Sequence, residues 1–184
     1  PGARSCARAA AMKWAYRVAQ AIAWLRARKG SINHEIARSV LSEAAFSLYE
    51  GMTVGDQAHA QRVLLTLRRA GRFSPDVEQA ALLHDVGKAR ARLSLAHRAL
   101  CMLLEWLDVG LSERLAKADP CSWRFPFYVQ PHHGEIGASF CAQAGCSPLT
   151  VELVRYHELP SEGFVDRPAL REGLLAVKEA DDKC

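Results

Sequence analysis

Apolar residues recur at three- and four-residue spacing along most of this chain, and no stretch alternates with the two-residue period of a half-buried strand. The pattern predicts an all-α fold. A first helix falls on residues 11–28, where Trp14, Val18, Ala21, Ile22 and Leu25 share one side and Gly30 closes it. A second falls on 33–49, with Ile36, Val40, Ala44 and Leu48 in line and His34 in its first turn as a surface or capping residue. After a turn at 51–55, Thr53 and Asp56 open a third helix that reaches residue 70. Ser74-Pro75 starts a fourth, with Ser as N-cap and Pro in the first turn. Further helices are predicted over 95–109 and 112–117. Residues 118–131 read as an irregular aromatic loop packed over the core as a lid or pocket wall, with Pro131 introducing the next helix. Ser147-Pro148 starts another that runs to His157, and a loop over 160–167 precedes a last helix opened by Pro168.

The informative residues are the polar ones that fall on or beside these apolar lines. His84 and Asp85 come directly after the apolar run 80–83. Neighbours on a helix point about 100° apart, so both can reach one cation. A neutral imidazole beside a carboxylate suits a divalent metal of borderline hardness. Gly87 is expected to end or bend the helix. Lys88 then places a positive charge just past the pair, where a phosphate could sit, and Arg90 and Arg92 extend that basic edge. His59 shares a face with Val63 and Leu67, which by periodicity alone reads as a core histidine. His97 falls in line with Leu93, Leu100 and Leu104 and reads as structural. His133, rather than His132, is in line with Gly137, Phe140, Cys141 and Ala144. His157 shares a face with Leu153 and Val154. Asp181 continues the line Leu170, Leu174, Val177, where a carboxylate is costly to bury unless something positive meets it.

Taken together, Leu-Leu-His-Asp-Val-Gly-Lys at 82–88, the upstream His59, the His133 four residues before Gly137-Ala138, His157 and the closing Ala180-Asp181 resemble the HD-domain metal-dependent phosphohydrolases over about residues 53–182. The resemblance implies an HD-domain-like helical bundle in which His59, His84, Asp85 and Asp181 surround one divalent metal ion. Asp85 would bridge to a second ion held by His133 and His157. The ion, whether Fe, Mn, Co, Ni, Zn or Mg, would activate water for attack on a phosphate monoester or diester, plausibly of a nucleotide. Asp85 and Lys88 would carry the catalysis, with Lys88, Arg90 and Arg92 meeting the phosphate. Two departures stand out. Tyr156-His157-Glu158 replaces the His-His-Glu of two-metal members, so one potential ligand is missing. The Asp-Gly-x-Gly-Tyr-Pro segment of the cyclic-dinucleotide-cleaving branch is absent. The alternative expectation is a sensor or regulatory module that binds metal and nucleotide without turnover.

Composition adds little beyond a compartment and one asymmetry. Six cysteines without a C-x-x-C pair read as reduced thiols of a cytoplasmic protein. The 184 residues suit one domain. The net charge is +4, yet residues 1–34 carry seven basic side chains and no acid, so the remainder is net acidic. The division expected is a basic N-terminal helix or extension over 1–30 ahead of an HD-type domain over 31–184. The basic stretch reads as a solvated face. Without a stacking platform or interleaved aromatics it argues weakly for a nucleic-acid partner. No apolar run approaches the roughly 20 residues of an integral membrane span. The chain opens on Pro1, which reads as a fragment, a processed form or a trimmed chain.

Overall fold

The computed structural model describes residues 32–71, 73–91, 97, 100, 101, 103, 104 and 110–184. The helix expected over 11–28, the basic segment 1–30 and Arg92 lie outside the described residues. Of the helix expected over 95–109, the described residues His97, Leu100, Cys101, Leu103 and Leu104 are helical. Among the described residues every regular element is a helix, so the fold is all-α.

Local sequence sets the helix starts. Asn33, Ser42, Thr53, Ser74 and Ser147 each accept a backbone N–H from the first turn they precede, as side-chain N-caps do. They open α1 (His34–Arg38), α2 (Glu43–Glu50), α3 (Val54–Ala70), α4 (Pro75–Leu83) and α7 (Pro148–Tyr156). At Thr53 the hydroxyl also donates to Asp56 Oδ2 at 2.7 Å, closing the cap from both sides. Short α5 (Leu111–Leu115) precedes α6 (Phe125–Gln143), and α8 (Pro168–Asp181) is the last helix. Two 3-10 turns, Val86–Ala91 and Ser161–Phe164, lie beyond the C-terminal ends of α4 and α7.

Two expectations are corrected. The helix expected over 33–49 is two helices, because Ser42 takes an extended backbone and caps α2 through Ala45 N–H. The break re-phases the helix. Ala37, Leu41, Ala45 and Tyr49 form the buried line, and Ala44 is exposed. The loop expected over 118–131 is helical from Phe125, and Pro131 lies inside α6 rather than at its start. An interior proline forfeits a hydrogen bond at a cost of about 3 kcal/mol. Phe125, Phe127 and Val129 are all buried here, and at roughly 1.5–3 kcal/mol per large apolar side chain they outweigh that cost.

The core is built around Phe46, Tyr49, Leu64, Leu67, Leu82, Leu83, Leu153, Leu170 and Leu174. α4 packs between α3 and α7, α8 crosses α3, α7 and α4, and α6 lies along α7 and the 3-10 turn Val86–Ala91. Glycine permits that last approach. A Cβ on Gly87 would stand 1.9 Å from the His133 carbonyl oxygen, and one on Gly134 would stand 2.7 Å from the Arg155 carbonyl. Gly87 therefore matters for close backbone packing against α6, where propensity alone suggested only a helix end. Among the described residues no helix is long and apolar enough to cross a membrane.

Candidate metal centre

The ends of α4 and α7, the middle of α6, one face of α3 and the last turn of α8 meet at Asp85. α4 stops at Leu83, and His84 caps it through its N–H to the Ala80 carbonyl at 2.8 Å. The next residue, Asp85, is 4% exposed, and its Oδ1 is the common point of the site. Lys88 Nζ lies 2.6 Å from that oxygen, His133 Nε2 3.4 Å, His84 Nε2 3.7 Å and His157 Nε2 3.9 Å. On the α3 side, His59 Nε2 is 2.9 Å from Asp181 Oδ1. The imidazoles form a chain, with ring centres 5.4 Å apart for His59 and His84, 5.3 Å for His84 and His157, and 5.0 Å for His157 and His133.

Three of these rings are held in one tautomer. His84 Nδ1 lies 3.0 Å from the Ala81 carbonyl, His133 Nδ1 2.7 Å from the Gln130 carbonyl and His157 Nδ1 2.8 Å from the Val154 carbonyl. A carbonyl only accepts, so each Nδ1 donates to it and each Nε2 is turned inwards. Orienting a ligand imidazole through its second nitrogen in this way is the usual arrangement in metal sites. His84, 2% exposed, has no hydrogen-bond partner for its buried Nε2. The Nε2 atoms of His133 and His157 are 3.1 Å apart, within hydrogen-bond distance of each other.

Electrostatics agree with a cation-seeking pocket. Burial would raise the Asp85 carboxyl, but Lys88, His84 and His133 outweigh it and hold the group well below the carboxylate range. Burial likewise opposes ionisation of Asp181, and His59 and His84 hold that carboxyl down despite repulsion from Asp85. His157 is pushed down to about 3, chiefly by burial and then by its imidazole neighbours His133 and His84.

The donors fall into two groups that share Asp85. His59, His84 and Asp85 place their ligand atoms within 4.8 Å of one another, and so do Asp85, His133 and His157. Either group could hold a divalent ion. Asp181 stands outside the first group as a neighbour of His59, and its side chain is 34% exposed. Lys88 reaches the site directly, whereas Arg90 is exposed and forms no ion pair among the described residues. Arg92 lies outside those residues. His34 is at the surface near Glu50, and exposed His132 stacks on Tyr128 with ring centres 4.3 Å apart. One residue that the periodicity did not single out also faces the site: Glu158 Oε1 is 3.8 Å from His133 Nε2. Its signal in sequence was its place in the Tyr156-His157-Glu158 segment at a helix end.

Comparison with known proteins gives no relative, as no family model, curated protein or solved structure matches this chain.

Proposed function

We propose that this protein is a metal-dependent phosphohydrolase of HD-domain type, acting on a phosphate monoester or diester such as that of a nucleotide. The observation that carries the reading is the set of inward Nε2 atoms on His84, His133 and His157 around one shared carboxylate, each ring anchored by its Nδ1 to a backbone carbonyl. Two imidazoles and a carboxylate on either side of Asp85 suit a divalent ion of borderline hardness and leave positions for water. A bound divalent ion supplies a Lewis acid that brings the pKa of water toward neutrality and polarises phosphoryl oxygens. Asp85 fixes the spacing of the two halves of the site, and its negative charge is matched by Lys88. Lys88 sits 14% exposed at the edge of the site, where its ammonium can also meet a phosphoryl oxygen. His59 and Asp181 close the α3 and α8 side, with His59 Nε2 2.9 Å from Asp181 Oδ1.

The test is metal analysis of the purified protein, then a panel of nucleotides and simple phosphoesters with added Mn²⁺, Fe²⁺, Ni²⁺, Co²⁺, Zn²⁺ or Mg²⁺. The reading expects phosphate release that depends on the ion. Tight metal binding with nucleotide-dependent thermal stabilisation but no product would favour the binding-module alternative. No bound metal and no turnover would defeat both.

A further inference from the structure

We propose that Glu158 is a ligand of the second cation, completing the group formed by Asp85, His133 and His157. The proposal rests on the metal-dependent reading above and goes beyond it, because Glu158 is the residue that makes that second position a full site in a chain with Tyr156 beside His157.

Two ligand atoms each about 2.0–2.2 Å from one ion stand roughly 3–4 Å apart for angles between 90° and 130°. The distances around His133 Nε2 all fall in that range: 3.1 Å to His157 Nε2, 3.4 Å to Asp85 Oδ1 and 3.8 Å to Glu158 Oε1. His133 is fully buried and its Nδ1 donates to the Gln130 carbonyl. Glu158 Oε1 faces that ring's Nε2 from beyond hydrogen-bond distance. Asp85, His133 and His157 converge with Glu158 at their outer edge, and Lys88 supplies the positive charge beside Asp85.

Glu158 is also uncommitted elsewhere. Its side chain is 57% exposed, and His133 is its one ion-pair neighbour among the described residues. Acids of the same groove differ in this respect: Glu135 meets Arg155 at 2.9 Å. Glu158 is not in the tight cluster of the other three donors, so its carboxylate must swing inward by a side-chain rotation. An exposed glutamate just past the end of α7 has the freedom to do so at small cost. The same position at the outer rim means that Glu158 closes the solvent side of the second ion, while Asp85 closes its inner side. A carboxylate there also lowers the net charge of a site that two dications would leave strongly positive.

The experiment is a calorimetric Mn²⁺ titration of the chelator-stripped full chain, with metal content measured independently, for the parent protein, Glu158→Gln, Glu158→Ala and Glu135→Gln. Two ions per chain are expected in the parent. Both Glu158 variants should bind the second ion about tenfold or more weakly, leave the first unchanged, and melt at the parent temperature without metal. Glu135→Gln should match the parent. Unchanged affinities in both Glu158 variants, or a parent chain that takes one ion only, would overturn the assignment of Glu158 while leaving the metal-dependent reading in place. A parent chain that takes none would overturn that reading itself.

Discussion

His133 and His157, on α6 and just past α7, turn their Nε2 atoms toward each other at 3.1 Å while each gives its Nδ1 proton to a backbone carbonyl three residues earlier. The packing that forces them together comes from glycines: Gly134 lets α6 lie against the end of α7, and Gly87 lets the turn that carries Asp85 and Lys88 lie against α6. The fold thus gathers imidazole and carboxylate donors that could hold a divalent ion.

Asp85→Asn should remove both ions at once, because Asp85 is the one residue common to the two donor groups. The amide is nearly the same size, so the metal-free variant should stay folded. Metal affinity should fall by at least about 100-fold and ion-dependent phosphate release should be lost. Metal content and a melt of the stripped protein check this, and an Asp85→Asn chain that still holds two ions would contradict it.

His133→Ala and His132→Ala should separate cleanly. His133 is fully buried and faces Asp85, whereas His132 is exposed and stacks on Tyr128. Removing the first should abolish the second ion site. Removing the second should leave metal binding alone and change stability by about 0.5–1 kcal/mol at most. Equal metal loss in both would mean that α6 presents a different face.

The stripped protein should lose stability in acid well before its carboxylates titrate. An unfolded histidine takes up its proton near 6.5, while folded His157 does so at about 3. Above 6.5 both states are neutral there and the contribution is complete. As pH falls from 6.5 toward 3 only the unfolded chain gains the proton, so stability declines steadily across that window. Asp85 and Asp181, whose folded carboxyls lie below the usual 3.8, add their losses only below about pH 4. Thermal melts between pH 7.5 and 4.5 measure this, and His157→Asn should flatten the profile.

Gly87→Ala should be among the most damaging small substitutions in the chain. The new methyl would stand 1.9 Å from the His133 carbonyl oxygen and 2.8 Å from Gly137 N, both backbone atoms. A loss on the order of 3 kcal/mol or more is expected in a denaturant titration. Gly163→Ala, where a Cβ meets nothing within 4 Å, should stay within about 0.5 kcal/mol of the parent.

Much of this protein was legible in its linear pattern. The all-α class, the caps at Thr53, Ser74 and Ser147, the choice of His133 over His132 and the inward line from Leu170 to Val177 all come from local rules: a side-chain oxygen satisfies orphan N–H groups, and a 3.6-residue period puts like residues on one face. Those rules act over a few residues, so a sequence carries them directly. The helix running through Pro131, the role of Gly87 and the approach of Glu158 to His133 were decided by tertiary structure. Each depends on how one element presses on another far along the chain. Burial of Phe125, Phe127 and Val129 overrides a proline's local preference, and only docking of α6 on α7 brings residues 133 and 158 within ligand distance. Local propensities of a few tenths to a few kcal/mol are outweighed wherever that burial is larger.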